Sequence, residues 1–125
     1  MLCEGVGIVG TGACLPEKTN PNSEIESRAP TTSEWIQERL GIHERRIVTD
    51  QTISDLGYIA ALNAIKDSNL SKDDIDMIIV ATSSPERISP STACTIHRKL
   101  ELSRNIPCFD INAVCSGFLF AIPPW

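Results

Sequence analysis

Two short runs near the C-terminal end constrain the fold most. Residues 77–81, MIIVA, and residues 107–111, PCFDI, are mostly apolar over a strand's length. Neither shows the polar alternation of a sheet with one wet face. Continuous apolar runs suit parallel strands covered on both sides. Parallel neighbours need a crossover of a dozen or more residues, usually a helix. The intervening stretch supplies one: after the loop TSSPERISPS, the spacing predicts a helix over 91–100.

The rest of the chain repeats the alternation. An apolar strand is expected over residues 6–9, running into the glycine turn of GIVGTGACLPE. A short helix follows over 23–27. TTSEWIQERLG carries a start and a stop: Thr31 with Glu34 fits the S/T-x-x-E capping box, and Gly41 sits where a C-terminal cap belongs. A mixed-charge loop, HERRIVTDQT, leads to a helix over 54–69. There Leu56, Ile59, Ala60 and Ala64 recur at helical spacing, with Leu62 and Ile65 widening the apolar face. Strand, helices, strand, helix, strand, helix argues for an α/β protein with a mostly parallel sheet and helices on both faces.

Composition narrows the function. The 125 residues are 42% hydrophobic and 22% charged, enough for one modest core. The net charge of −5, with dispersed lysines and arginines, argues against nucleic acid, which is bound by neutralising phosphates. No apolar stretch reaches bilayer length and no signal-peptide pattern opens the chain, so no membrane role is expected. Five cysteines without C-x-x-C spacing read as reduced thiols in the cytoplasm, with neither a disulfide framework nor a metal site.

Three motifs are candidates for chemistry. The G-T-G of residues 10–12 follows a predicted strand, but Leu15 stands where a dinucleotide fingerprint needs its third glycine, and Pro16 follows. A structural turn is the better reading. Trp35 and Arg39, four apart, share a helix face, with Arg45 and Arg46 on the loop beyond. An indole beside guanidinium groups can stack a purine and bind phosphates; a core tryptophan among solvated arginines is the plainer alternative. The third is FDINAVCSGFLF at residues 109–120. If a helix begins at Cys115, the backbone N–H groups of Ser116 and Gly117 face the sulfur and favour the thiolate. Such a strand–Cys–helix elbow parallels the serine elbow of hydrolases, against the alternative of an inert buried thiol. Cys94 and Cys108 read as inert, His43 as a loop residue, and His97 as a partly exposed helix residue. A thiol redox sensor is the weakest of the readings, because no resolving cysteine is adjacent in sequence.

These residues, in this order, resemble the N-terminal half of β-ketoacyl-acyl carrier protein synthase III, a thiolase-fold condensing enzyme. The resemblance runs from GIVGTGACLPE through SEWIQERLGIHERR, IIVATSS and SPSTAC to DINAVCSGF, and covers residues 1–122. It implies an acyltransferase of fatty acid biosynthesis. An acyl group passes from acyl-CoA to Cys115 and then condenses with malonyl-acyl carrier protein, with loss of carbon dioxide. Thr31, Trp35 and Arg39 are implied as coenzyme A contacts. Coenzyme A serves as a thioester substrate, with no cofactor and no metal. The full-length form is expected to be a homodimer.

Two departures qualify the resemblance. Ser89 stands where the family usually carries a bulky apolar residue that shapes the acyl pocket, which suits a longer or more polar acyl chain. That keeps open a related acyl-cysteine synthase, of secondary metabolism or the hydroxymethylglutaryl type. The histidine and asparagine implied in decarboxylation match neither His43 nor His97, so the chain by itself is expected to be inactive in condensation. Pro123 and Pro124 stop the apolar run FLFAI, and residues 123–125 read as an atypical, possibly frame-shifted tail on a truncated chain. A non-catalytic remnant, or a subunit that pairs with a partner supplying the remainder, is the reading from another class.

Overall fold

A computed structural model describes residues 7–122. The chain divides into two compact units: one is Leu15–Gln51, and the other is made from the segments on either side of it.

In the first unit, β1 (Lys18–Pro21) pairs antiparallel with β2 (Glu44–Ile47), Lys18 opposite Ile47 and Pro21 opposite Glu44. Pro21 sits at the strand end, where a missing N–H costs the ladder least. This pair lies where the sequence reads as a turn and a charged loop. Its strands alternate no apolar face, so pairing rather than pattern defines them. Between them lie α1 (Asn22–Glu26) and α2 (Ser33–Leu40). The α2 cap lies one residue beyond the predicted box. Thr32, not Thr31, is the N-cap, and its Oγ1 accepts from the Trp35 N–H at 3.2 Å. Gly41 closes the helix at φ 67°, a left-handed conformation that glycine adopts without Cβ strain. Ile36 is buried, and buried Asn22 donates to the Ile42 carbonyl and accepts from Arg45.

The second unit is built on the predicted strand–helix–strand. β3 (Ile78–Ala81) and β4 (Cys108–Ile111) are parallel, with Ile78 opposite Cys108 and Ala81 opposite Ile111. α4 (Thr92–Leu100) makes the crossover, capped by Ser91, and buries Ala93, Ile96 and Leu100. Each large apolar side chain buried this way contributes roughly 1.5–3 kcal/mol. α3 (Ile53–Ser68) packs on α4 and ends at Asn69, φ 59°. Its start is one residue earlier than the periodicity suggests, because Thr52 and Asp55 form a complete capping box.

The strand expected over residues 6–9 is not formed by residues 7–9; Val6 lies outside the described residues. The chain there runs irregularly, with Ile8 and Val9 exposed, and no strand among the described residues pairs with it. The glycines that follow have a packing reason instead. A Cβ on Gly12 would lie 2.2 Å from the Ala60 carbonyl oxygen, and one on Gly10 would lie 2.5 Å from that of Ala64. The G-T-G segment therefore lies directly on the backbone of α3, and the Thr11 N–H donates to Asp67 at 2.9 Å. No helix opens after Gly12; the next element is β1. The structural reading of this motif stands.

A polar cluster joins α3, α4 and the loop before α4. Lys99 Nζ donates to Asp55 Oδ1 at 2.6 Å and to the buried Ser54 hydroxyl at 2.9 Å. The Ser54 N–H donates to Glu86 Oε1 at 2.6 Å. The Lys99 contact, with the Thr52 N–H and hydroxyl, holds the Asp55 carboxyl well below the usual carboxylate range. The Ser54 N–H lowers Glu86 in the same sense. Both groups bind a proton less tightly folded than unfolded. The stability they lend is present above the unfolded carboxylate range and is lost as acidification passes through their lowered folded values. The urea midpoint of the chain is expected to fall between about pH 6 and about pH 3, with a shallower fall in Asp55→Asn. Equal pH slopes in the two proteins would exclude this linkage.

Candidate active site

β4 delivers the chain to Cys115 beyond the carboxyl ends of β3 and β4, the side on which open α/β sheets place their ligands. After Ile111 the backbone turns sharply. Val114 has φ 47°, a left-handed conformation that is strained for a β-branched residue. Cys115 follows it in a short 3-10 turn, Val114–Ser116, and α5 (Gly117–Ala121) begins two residues after it. The elbow expected from the sequence is there, and its strain falls on Val114.

One expectation about the elbow is corrected. The helix does not begin at Cys115, and the N–H groups of Ser116 and Gly117 do not serve the sulfur. The Ser116 N–H donates to the Ala113 carbonyl at 3.0 Å, and the Gly117 N–H donates to the Val114 carbonyl. The 3-10 turn consumes these donors, since its i→i+3 bonds close inside the turn itself. What the structure does supply is access. Cys115 is exposed, and buried Gly117 brings α5 against β3, where a Cβ would lie 3.3 Å from that of Ala81.

Cys115 lines a cavity of about 860 Å³ with Val114, Phe118 and Ile122. The other walls are apolar residues of β3, with Ile53 and Ala60 of α3 and Ile96 of α4. An exposed thiol lining an apolar cavity is arranged to meet a group with a hydrocarbon portion.

Asp110, whose contribution was not read from the sequence, supports this region. Its two carboxylate oxygens accept from the N–H groups of Thr92 at 2.7 Å and Ala93 at 2.8 Å. The strand leading to Cys115 is thereby tied to the first turn of α4, where a negative charge also meets the helix dipole. An acidic residue inside an apolar strand was the available signal.

In the other unit, Thr31 and Trp35 line one surface cavity of about 440 Å³ with Pro30 and Thr32. Trp35 is 53% exposed, which excludes the core-tryptophan reading. The Thr31 Oγ1 is buried without a hydrogen-bond partner. Arg39 lies exposed one turn further along α2 and does not line this cavity. Arg45 is engaged by Asn22 at 2.9 Å, and Arg46 by Glu44 at 3.3 Å and by the Pro16 carbonyl. Arg45 thus ties β2 to α1, and Arg46 ties β2 to the segment ahead of β1, so both guanidinium groups are already engaged. His43 is exposed, and His97 bonds the Arg104 carbonyl. Among the described residues, no group of three or more His, Cys, Asp or Glu side chains is arranged to hold a metal ion.

No protein-family model matches the chain. Known structures superpose closely. The 3-oxoacyl-[acyl-carrier-protein] synthase III of Aquifex aeolicus aligns with TM-score 0.86 and 42% identity over 94% of this chain and 38% of its own. The priming β-ketosynthase of the R1128 polyketide pathway aligns with TM-score 0.83 and 30% identity over 92% of this chain and 34% of its own. The fold is thus that of a segment of a thiolase-type condensing enzyme. The β-ketoacyl-[acyl-carrier-protein] synthase III of Clostridium acetobutylicum is 49% identical over 117 residues, 94% of this chain. The chain is homologous to β-ketoacyl-acyl carrier protein synthase III, and spans about 36% of the length of such relatives rather than half. No helix of the described residues is long and apolar enough to cross a membrane.

Proposed function

We propose that this chain contributes the acyl-accepting part of a β-ketoacyl-acyl carrier protein synthase III. The carrying observation is an exposed Cys115 on a strained elbow at the carboxyl end of a parallel strand, opening on an apolar cavity. In the reaction proposed, the Cys115 thiolate attacks the carbonyl carbon of an acyl-CoA. The new carbon–sulfur bond forms as the bond to coenzyme A breaks, and the coenzyme A thiolate leaves and takes up a proton. The exchange conserves a thioester and needs no metal or redox cofactor. The Cys115 N–H would supply half of an oxyanion hole. Decarboxylative condensation with malonyl-acyl carrier protein is proposed for the whole protein, as a cytoplasmic homodimer.

Thr31, Trp35 and Arg39 are proposed to hold the coenzyme A nucleotide. The indole would stack the base, the unpartnered Thr31 hydroxyl would bond it, and the Arg39 guanidinium would meet a phosphate. Trp35→Ala is expected to weaken coenzyme A binding about tenfold, the loss of roughly 1.4 kcal/mol of stacking. Isothermal titration of the folded chain with coenzyme A measures this, and unchanged affinity would remove Trp35 from the site. The small Ser89, at a position the resemblance assigns to the acyl pocket, supports a second reading, in which Cys115 accepts a longer acyl chain. The relative rates of Cys115 acylation from acetyl- and decanoyl-CoA separate the two, and a strict acetyl preference excludes the second.

A further inference from the structure

α4 and β4 bring together two cysteines fourteen positions apart: Cys94 Sγ lies 3.6 Å from the Cys108 carbonyl oxygen. Both line one small cavity of about 330 Å³, together with His97 of α4. Cys94 is exposed and Cys108 is half-buried, so the reading of both as inert buried thiols fails for Cys94. Burial, and then the nearby Cys94, push the Cys108 thiol up. Cys94 is therefore the thiol that meets solvent reagents first, and Cys108 the one behind it. His97 Nε2 lies 2.9 Å from the Arg104 carbonyl, which only accepts, so that nitrogen donates.

We propose that Cys94 and Cys108 form a dithiol redox site, which a low-molecular-weight disulfide such as glutathione disulfide converts to an intramolecular disulfide. The Cys94 thiolate attacks one sulfur of the reagent, forming a mixed disulfide and releasing one glutathione thiolate. Cys108 loses its proton and attacks the Cys94 sulfur, releasing the second glutathione. Two protein thiols are oxidised, the reagent's disulfide is reduced to two thiols, and the two protons lost end on them. The bond would tie α4 to the start of β4, the strand that leads to the Cys115 elbow. None of this rests on the acyl-transfer reading, because neither thiol takes part in it.

The test exposes the folded chain to glutathione disulfide at about pH 8, where thiols are partly ionised. Digestion with trypsin and Asp-N places Cys94 in residues 88–98 and Cys108 in residues 105–109, each without a second cysteine. The expected result is a dithiothreitol-reversible linked pair of these two peptides, two hydrogens lighter than their sum. Cys108→Ser should stop at a glutathione adduct on Cys94, and Cys94→Ser should leave Cys108 the slowest thiol to react. Accumulation of glutathione on Cys94 in the unaltered chain without the linked pair would overturn the proposal. So would links to Cys14 or Cys115 as frequent as those between Cys94 and Cys108.

Discussion

Replacing Cys115 with alanine is expected to lower the rate at which the chain takes an acyl group from acetyl-CoA by a factor on the order of 10⁴ or more, as removal of a nucleophile does elsewhere. The physical reason is specific to the position. Cys115 is an exposed thiol on a turn that β4 and Val114 hold at the sheet's carboxyl edge, with an apolar cavity beside it. A serine at 115 should be nearly as poor, since a hydroxyl with no base beside it ionises far less than a thiol. Intact-mass and peptide mapping after incubation with acetyl-CoA measure the effect. One acetyl group on the Cys115 peptide, absent from Cys115→Ala, is the expected outcome. Acetylation of Cys94 or Cys14 at an equal rate would leave Cys115 without a special role and sink the proposed function.

The second large effect concerns Asp110. Its carboxylate accepts two N–H groups at the first turn of α4, at 2.7 and 2.8 Å. Asp110→Ala leaves both donors without their acceptor. Hydrogen bonds to a charged group contribute about 1.5–3 kcal/mol each, and they are not additive within one carboxylate. A net loss of about 3 kcal/mol is expected, read from the urea midpoint at unchanged m-value. Asp110→Asn keeps one acceptor oxygen but not the charge, so about half of that loss should remain. A change within about 0.5 kcal/mol for alanine would place Asp110 among ordinary surface positions. Because β4 continues into the Cys115 turn, the same variants should slow acylation at Cys115 more than they slow reaction at Cys14.

Legibility differed sharply along the chain. α3, α4, β3 and β4 follow from local pattern, because amphipathic spacing and unbroken apolar runs are properties of neighbours in sequence. The left-handed stop at Gly41 follows from residue type alone. The β1–β2 pair could not be read this way: its strands carry charged and turn-forming residues, and only their pairing makes them strands. The opposite error arose over residues 7–9, where an apolar pattern met no partner strand among the described residues. The Thr32 cap shows how a one-residue ambiguity in TTSEW is resolved by which threonine oxygen reaches the Trp35 N–H.

The sequence by itself determined the α/β class, the strand–helix–strand order and the resemblance to synthase III, and it singled out Cys115 as the candidate nucleophile. These depend on composition, periodicity and motif order, which exist before any folding. Tertiary structure alone decided where hydrogen bonds and side chains ended up. It spent the Ser116 and Gly117 donors inside their own turn and put the strain on Val114. It also turned Asp110 into a helix clamp and set Cys94 beside Cys108. Each of those outcomes joins atoms that are remote in sequence or depends on a particular backbone angle. A backbone N–H can serve one acceptor well, and only the folded chain determines which one is in reach.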